Sequence, residues 1–263
     1  MPNRRETCSI AALGDLVAAN KGDVGVDTQS TYRATTVAAA PSTAVPWYLS
    51  SVYWWAYVDP RAITVFERQW LVNAILWGNF GRLRDAAIDA LGHPLTGRTL
   101  QIACVYGDLT RRLTQRIAPG GTLDVVDVLP LQLANLHRKL PEDHGVRLVH
   151  ADSTALDYET HWFDRALLFF LLHEQPAATR RATLAQALRV VRPGGRIVIV
   201  DYHRPHALNP LYWPMVGILR TLEPFALDLW ANKIETWLPV DRPLTLARRT
   251  VFGGLYQIVT LTV

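Results

Sequence analysis

The stretch Leu100 to Leu113, LQIACVYGDLTRRL, decides the fold of this chain. It begins as an apolar run typical of a buried strand, passes through a tight turn and continues as a helix. A strand, turn and helix in this order often hold a nucleotide in an open α/β sheet. Such turns usually carry several glycines, whereas Cys104, Val105 and Tyr106 here precede the single glycine, Gly107.

Composition limits the classes of protein to consider. With 263 residues, 49% of them hydrophobic, the chain can bury one substantial core, so we expect a single main domain with a smaller appended element. The net charge of +4 comes from scattered residues, which argues against nucleic-acid binding. The positions of the two cysteines, Cys8 and Cys104, do not favour a disulfide framework. No apolar run reaches the roughly 18 residues of a membrane span. We therefore expect a cytoplasmic protein that is peripheral on the inner membrane, where it would reach its substrate.

Three segments differ in composition. We expect a mobile leader over residues 1–45, a helical cap or lid over 46–95, and an α/β domain over 96–263. Within the cap, apolar spacing predicts a helix from Pro60 to about Leu76, N-capped by Asp59, and a second helix over 82–91. The cap begins with six aromatic residues, which are Trp47, Tyr48, Tyr53, Trp54, Trp55 and Tyr57.

Short apolar runs alternate with helical segments after residue 96. This pattern predicts a doubly wound, Rossmann-like α/β sheet of seven strands. Helices are expected to begin near Leu109, Pro130 and Ala177, and the RPGG segment at 192–195 is expected to turn the last of them into a strand. The predicted strands cover residues 99–105, 122–128, 146–151, 163–170, 195–202, 243–251 and 255–263.

Polar residues at four strand ends indicate a nucleotide crevice, because ligands of open α/β sheets bind beyond the carboxyl ends of the strands. Asp127 follows the turn by about 20 residues, a spacing that suits the hydroxyl groups of a ribose. Asp152 and Ser153 are placed for an adenine edge, and His173 and Glu174 for the rim of the crevice. One acidic residue at a strand end is more often a cap or a surface charge. Polar residues at the ends of four strands together favour a binding site over isolated caps or surface charges.

The chain resembles class I S-adenosylmethionine-dependent methyltransferases, especially the quinone-ring C-methyltransferases of ubiquinone and menaquinone synthesis. The resemblance covers Tyr53 to Val263 and implies S-adenosylmethionine as cofactor, held at the ribose by Asp127, at the adenine by Asp152 and Ser153, and along the 104–107 turn. It rests on the segments WGNFGRLRD, VYGDLT, VVDVLPLQL, HADSTAL, FDRALLFFLLHE, RPGGRIVIVDY and FGGLYQIV.

A narrower resemblance accounts for the unusual turn. The segments YWWAYVDPRAITVFERQWLVNAILWGNFGRLRD and ACVYGDLT are similar to those of the RquA proteins, relatives of the quinone methyltransferases that act in rhodoquinone biosynthesis. This resemblance implies that ubiquinone is the substrate and that its ring methoxy group is replaced by an amino group. It further implies S-adenosylmethionine as the nitrogen donor and manganese as a helper. The metal ligands stay open among Asp108, Asp127, Asp152, His173, Glu174, Asp201 and His203.

A physical hypothesis connects the turn to this chemistry. Glycines let the backbone approach the methionine end of the cofactor, so Cys104 and Val105 should push that end outward. Methyl transfer needs in-line geometry, and a misplacement of about 1 Å can cost a hundredfold in rate. The turn therefore favours presentation of the amino group, which Tyr106 and Asp108 could orient or deprotonate. His173 could be a base, a metal ligand or a substrate contact, or merely a rim histidine.

Substrate contacts and rival functions remain as expectations. Tyr57 and Arg61 are candidates for contacts with the ring carbonyls of a quinone. The aromatic segment of the cap could be a lid at a membrane surface, a helix packed over the sheet edge, or both. One rival function is an ordinary quinone or small-molecule methyltransferase. Another is a non-catalytic subunit of a quinone-synthesis complex. The quinone tail length and the oligomeric state, a homo-oligomer included, stay open.

Overall fold

The computed structural model describes residues 38–39, 44–58, 60–141, 145–239 and 244–263. Most of the predicted mobile leader therefore lies outside the described residues. The predicted N-cap at Asp59 also lies outside them. A single sheet forms the centre of the fold. Its strands are β1 (Ala38–Ala39), β2 (Arg98–Ile102), β3 (Thr122–Asp127), β4 (Val146–His150), β5 (Phe163–Phe169), β6 (Val191–Tyr202), β7 (Thr245–Val251) and β8 (Tyr256–Thr262).

The strand order is β1-β4-β3-β2-β5-β6-β8-β7. Strands β1 to β6 pair in parallel, whereas β8 is antiparallel to both β6 and β7. The order reverses at β2, which pairs with β3 on one side and β5 on the other. The crevice at this switch point is where open α/β sheets bind ligands. The predicted doubly wound sheet is confirmed, since β2 to β8 correspond to the seven predicted strands.

Helices cover the sheet and form the cap. Two-sided burial explains the continuous apolar strands, because Leu167 and Leu168 of β5 are adjacent residues that pack into separate cores on opposite faces. A π-helical segment runs over Trp54–Val58. The helices are α1 (Trp47–Ser51), α2 (Pro60–Phe66), α3 (Gln69–Ile75), α4 (Phe80–Leu91), α5 (Leu109–Thr114), α6 (Pro130–Lys139), α7 (Ala177–Val190), α8 (Tyr212–Leu222) and α9 (Ala226–Ala231).

The prediction of one helix from Pro60 to about Leu76 is wrong. The helix stops after Phe66 and a new one begins at Gln69. The carboxylate of Glu67 lies at the break and accepts hydrogen bonds from Lys139 and Asn135, each at 2.7 Å. These hydrogen bonds attach the segment between α2 and α3 to helix α6. The second predicted helix, over 82–91, is confirmed within α4 and ends at Gly92 with a φ of 110°.

Two other boundaries differ from expectation. The strand predicted over 99–105 ends at Ile102, because Ala103 adopts a φ of 72° and the chain leaves the sheet. The RPGG segment, predicted as a turn, lies within β6, where the register with β5 shifts. The sequence pattern identified an irregularity but not its form, a bulge-like shift inside a continuous strand. Among the helices that the structure describes, none is long and apolar enough to cross a bilayer.

Candidate active site

A cavity of about 610 Å³ lies at the carboxyl ends of the parallel strands. Its polar end is formed by the turn after β2 and by the residues that follow β3 and β4. Its other end is lined by apolar side chains of α3, α8 and the segment after β5. Cavities of this size, mostly apolar with a few convergent polar groups, are typical ligand sites. One continuous cavity thus joins a polar compartment to an apolar one.

Asp127 organises the polar end. Its Oδ2 accepts a hydrogen bond from the Cys104 backbone N–H at 2.7 Å, and its Oδ1 accepts one from the Leu129 N–H at 2.8 Å. Burial raises the pKa of Asp127 to about 6, although both backbone donors act in the opposite direction. Each oxygen keeps lone-pair capacity for a further donor. The carboxylate therefore holds the turn and can also accept hydrogen bonds from a ligand in the cavity.

The side chains of Cys104 and Val105 line the cavity and pack partly against the apolar core. Burial raises the pKa of the Cys104 thiol well above its ordinary value, and the neighbouring Asp127 carboxylate adds to the effect. A neutral thiol is a poor nucleophile. The Cys104 side chain therefore fills space beside Asp127 that a glycine would leave open.

Tyr106 connects the turn to the cap. Its hydroxyl donates a hydrogen bond to the backbone carbonyl of Ala56 at 2.6 Å and accepts one from Gln132 at 2.9 Å. The ring stacks on Phe66, with 5.7 Å between centroids. Burial raises the pKa of the phenol, so it stays protonated near neutral pH. Tyr106 lines the cavity and fixes the cap over it.

Gly107 and Lys139 close the outer side of the turn. The Lys139 ammonium lies 3.1 Å from the carbonyl oxygen of Gly107 and is paired with Glu67 at 2.7 Å. Gly107 has a φ of 88°, and a Cβ there would lie 2.8 Å from the Phe80 ring. Both facts require glycine at this position. The glycine of the turn thus packs against Phe80 of α4, and Gly107 itself is absent from the described cavity wall.

Asp108 has a different environment from the one predicted. Its carboxylate binds Arg84 through both oxygens, at 2.6 and 2.8 Å, and Arg112 at 3.1 Å. Burial raises the pKa of Asp108, but the two guanidinium groups lower it further, so it falls below its ordinary value. Among the described residues that line the cavity, Asp108 is absent. The structure gives it ion-pair partners rather than access to a ligand.

Asp152 and Ser153 line the cavity beyond β4. The Oδ1 of Asp152 accepts hydrogen bonds from the backbone N–H and the hydroxyl of Thr154, both at 2.8 Å. The Ser153 hydroxyl lies 2.8 Å from that of Thr183 and 3.2 Å from the amide nitrogen of Gln175. These contacts fix both side chains at the polar end, beside the compartment organised by Asp127. The structure thus brings the predicted ribose and adenine residues together.

His173 lies at the junction of the two compartments, on a short 3₁₀ helix over Leu172–Glu174. Its Nδ1 lies 3.0 Å from Oδ1 of the fully buried Asp201, as an ion pair without the angle of a linear hydrogen bond. Burial lowers the pKa of His173, but the Asp201 carboxylate raises it more, and Glu223 and Glu174 add to the rise. The resulting pKa is about 9. The imidazole is therefore protonated at neutral pH.

Glu223 is a site residue that the sequence analysis missed. Its Oε2 is buried and lies 3.9 Å from Nε2 of His173, and the residue belongs to the cavity wall. Burial raises the pKa of Glu223, while the His173 charge and a hydrogen bond with Tyr53 act against the rise. Glu223 follows α8 and carries no strand-end signal. Its one sequence signal is that it is acidic within the apolar run from Leu211 to Leu229.

The remaining predicted residues stay outside this arrangement. Tyr57 lies in the π-helical segment, and its side chain is outside the described part of the structure. Arg61 is exposed on α2 and is absent from the described cavity wall. Within the described ranges, no group of three or more His, Cys, Asp or Glu side chains is arranged to hold a metal ion. The described residues do not fit the manganese that the resemblance implies.

Comparison with known proteins agrees with this architecture. Residues 99–195 match the protein family described as "Methyltransferase domain". Human N-acetylserotonin methyltransferase, solved in complex with SAM, has a TM-score of 0.57 and 13% identity, with 83% of this chain and 60% of that chain covered. An O-methyltransferase family protein from Burkholderia thailandensis has a TM-score of 0.55 and 16% identity, with 78% and 60% covered. The chain has the Rossmann-like fold of the class I methyltransferases.

Similarity to individual curated proteins is more specific than the match to the methyltransferase domain. The ubiquinone/menaquinone biosynthesis C-methyltransferase UbiE of Stutzerimonas stutzeri is 30% identical over 51% of this chain and 54% of that protein. The UbiE of Pseudomonas savastanoi is 30% identical over 57% and 63%. An uncharacterized methyltransferase of Synechocystis is 27% identical over 78% and 92%. The chain thus spans between half and two thirds of the length of the two UbiE proteins. The predicted resemblance to quinone C-methyltransferases is confirmed, and the narrower one to the RquA proteins stays a prediction.

Proposed function

We propose that this chain is an S-adenosylmethionine-dependent transferase that acts on the ring of an apolar quinone. The observation that carries the proposal is the single cavity, with Asp127, Asp152 and Ser153 at its polar end and apolar side chains at the other. The first end suits an adenosyl group and the second a ring with a greasy tail. The UbiE relatives, whose names state a quinone methylation, support the same class of substrate.

The chain's own residues would bind the cofactor as follows. Asp127 would accept hydrogen bonds from the ribose hydroxyls with the lone pairs that its backbone donors leave free. Asp152 and Ser153 would face the adenine, and residues 103–106 the methionine end. When bound, S-adenosylmethionine supplies an electrophilic methyl group on sulfur and a primary amine.

His173 would position the quinone. A protonated imidazole at the junction of the compartments can donate a hydrogen bond to a ring oxygen, where negative charge develops when the ring is attacked. Asp201 fixes the ring from the far side, and Glu223 lies beside Nε2. The proposed role of His173 is therefore electrostatic stabilisation, with a proton available to the substrate oxygen.

Calorimetry with S-adenosylmethionine and S-adenosylhomocysteine tests the binding half of the proposal. We expect both to bind, and Asp127→Ala to weaken them by about tenfold or more, since it removes hydrogen bonds to a charged acceptor. Asp164→Ala is the matched control, because Asp164 is the second residue of β5 and lies at the amino-terminal end of the strands, opposite the cavity. Failure of the wild-type chain to bind either compound would contradict the proposal and favour a non-catalytic subunit.

We further propose that the transferred group is nitrogen, so that the reaction replaces a ring methoxy group of ubiquinone with an amino group. The supporting observation is the turn itself. Ala103 adopts a φ of 72°, and the side chains of Cys104 and Val105 occupy the cavity wall beside Asp127. A displaced sulfonium would lose in-line methyl geometry, which is sensitive to about 1 Å. In the first step the amine nitrogen would bond to the ring carbon, and the methoxy group would leave as methanol with one amine proton. In the second step the hydrogens on the α-carbon and on the nitrogen would pass to the two ring oxygens, which would reduce the quinone to the quinol and leave an imine between the α-carbon and the nitrogen. Water would then hydrolyse the imine to a 2-oxo acid and the amino-substituted quinol.

Methyl transfer to the ring carbon is the alternative, and the names of the UbiE relatives favour it. The two reactions differ in the atom retained by the product. The chain should be incubated with a ubiquinone analogue and with S-adenosylmethionine labelled separately in the methyl carbon and the α-nitrogen, with and without manganese. Mass spectrometry should find the nitrogen label and loss of methoxy. A product that keeps the methyl label would overturn the nitrogen proposal.

Two variants test the crowding argument. Val105→Gly should restore room at the methionine end and shift product from amination towards methylation. Tyr106→Thr should loosen the cap, because it removes the hydrogen bonds to Ala56 and Gln132. Unchanged amination by both variants would refute the argument from the turn.

A further inference from the structure

The mouth of the cavity is bordered by apolar side chains that are also exposed to solvent. Four residues both line the cavity and lie on the surface, with relative exposures between 38% and 47%. These residues are Ile75, Trp77, Ile218 and Leu222. The apolar interior of the cavity is therefore continuous with an apolar outer surface. Exposed patches of this kind mark interaction sites.

Helices α3 and α8 form that surface together. None of the seven residues of α3, all of them described, is buried, and its Trp70 is 65% exposed. Helix α8 buries Met215 and Leu219 but leaves Trp213 75% exposed. The indole N–H of Trp77 lies 3.3 Å from the Met215 sulfur, which joins the two sides of the mouth. We call the six side chains of this surface the docking face, which comprises Trp70, Ile75, Trp77, Trp213, Ile218 and Leu222.

The exposed charged residues in the two segments that carry the docking face have one sign. Across residues 60–78 and 212–223, as far as the structure describes them, the exposed charged residues are Arg61, Arg68 and Arg220. The two acidic residues of these segments are partly buried and engaged. Glu67 pairs with Lys139, and Glu223 lies beside His173. The surroundings of the face therefore attract an anionic surface.

We propose that the docking face rests on an anionic lipid bilayer, with the mouth of the cavity opening into the lipid. Tryptophan is the side chain that interfacial segments favour, since its ring is apolar and its N–H stays wet. Basic residues beside the apolar side chains complete the arrangement. A protein partner on this face would close the cavity, whereas a lipid surface leaves it open to a membrane-dissolved ligand. That the ligand is a quinone rests on the proposed function; the docking itself does not.

Sedimentation with sucrose-loaded vesicles tests the proposal in the absence of cofactor and substrate. We expect the chain to bind equimolar phosphatidylcholine and phosphatidylglycerol vesicles more tightly than pure phosphatidylcholine. The double variant Trp70→Ser, Trp213→Ser should lose about tenfold or more in partition coefficient, because interfacial binding scales with buried apolar area. Arg220→Glu should weaken binding to the anionic vesicles alone. Neither tryptophan belongs to the described cavity wall, so cofactor binding by the double variant should be unchanged.

Trp162→Ser is the matched control. Trp162 directly precedes β5 at the amino-terminal end of the strands, where the Arg98 guanidinium lies over its ring. Absence of binding to anionic vesicles, or equal losses in the control and the double variant, would overturn the proposal. Self-association without lipid that the double variant abolishes would also overturn it, because the face would then belong to a second copy. None of these outcomes affects the calorimetric test of the proposed function, so the two can fail separately.

Discussion

The imidazole Nδ1 of His173 lies 3.0 Å from the carboxylate Oδ1 of Asp201, at the carboxyl ends of the neighbouring parallel strands β5 and β6. Asp201 is fully buried and accepts backbone hydrogen bonds from Leu172 at 2.9 Å, His173 at 3.2 Å and Tyr202 at 2.7 Å. Three backbone donors fix the direction of the carboxyl group. Asp201 therefore stabilises the protonated imidazole of His173 in the cavity wall.

This pair should make the stability of the fold depend on pH. The pKa of His173 rises from 6.5 to about 9 in the folded chain. The contribution of the pair is therefore complete below pH 6.5 and lost as the pH rises through about 9. We expect the free energy of unfolding in urea to fall by roughly 3 kcal/mol over that interval.

His173→Gln is the control for the pH effect, and its free energy of unfolding should change little over the same interval. Nuclear magnetic resonance of labelled histidine should show the His173 ring titrating near pH 9. A titration of the His173 ring near the ordinary value of 6.5 would show that Asp201 does not stabilise the protonated imidazole.

Cofactor affinity should fall in mild acid. Burial raises the pKa of Asp127 from 3.8 to about 6, so its carboxyl group gains a proton as the pH drops through about 6. A protonated group loses acceptor capacity for ribose hydroxyls, and calorimetry should record a weaker affinity at each step of acidification. The variant Asp127→Asn should bind weakly at every pH. An affinity of the wild-type chain that is constant through this range would exclude Asp127 as the acceptor.

Two glycines offer a matched pair of substitutions. Both Gly107 and Gly120 have positive φ values, 88° and 79°, but only at Gly107 would a Cβ meet another group, the Phe80 ring at 2.8 Å. Gly120→Ala should cost about 1 kcal/mol of stability from backbone strain alone. Gly107→Ala should cost about 1–3 kcal/mol more, because the ring must move. Urea unfolding measures both, and equal losses would mean that Phe80 yields without cost.

Substitution of Asp108 separates a structural role from a catalytic one. Asp108→Asn should lower stability by about 1–3 kcal/mol, because it removes the more buried of the two carboxylates that pair with Arg84. Asp85→Asn is the control, since Asp85 also pairs with Arg84 but is 59% exposed, and it should change stability by less than about 0.5 kcal/mol. Turnover per folded molecule should be unchanged in both. A loss of turnover by Asp108→Asn at unchanged stability would support the proton-transfer role predicted from the sequence.

The sequence by itself determined the sheet and the polar end of the cavity. Apolar runs that are buried on both faces have a local signature, and parallel strands necessarily bring their carboxyl ends to one edge. Asp127, Asp152 and Ser153 could therefore be placed together from their positions after strands, and they share the cavity wall. The second helix of the cap was also predictable, because its periodicity and its final glycine are local features.

Only the tertiary structure decided the charges at the centre of the site and the break in the cap. Glu223 reaches His173 from α8, far along the chain, and Glu67 interrupts a periodic helix because it pairs with Lys139 of α6. Asp108 follows a strand, as Asp127 and Asp152 do. Its ion pair with Arg84, however, holds its carboxylate outside the described cavity wall. Pairing across distant segments and the burial that shifts a pKa depend on packing, which local spacing does not encode.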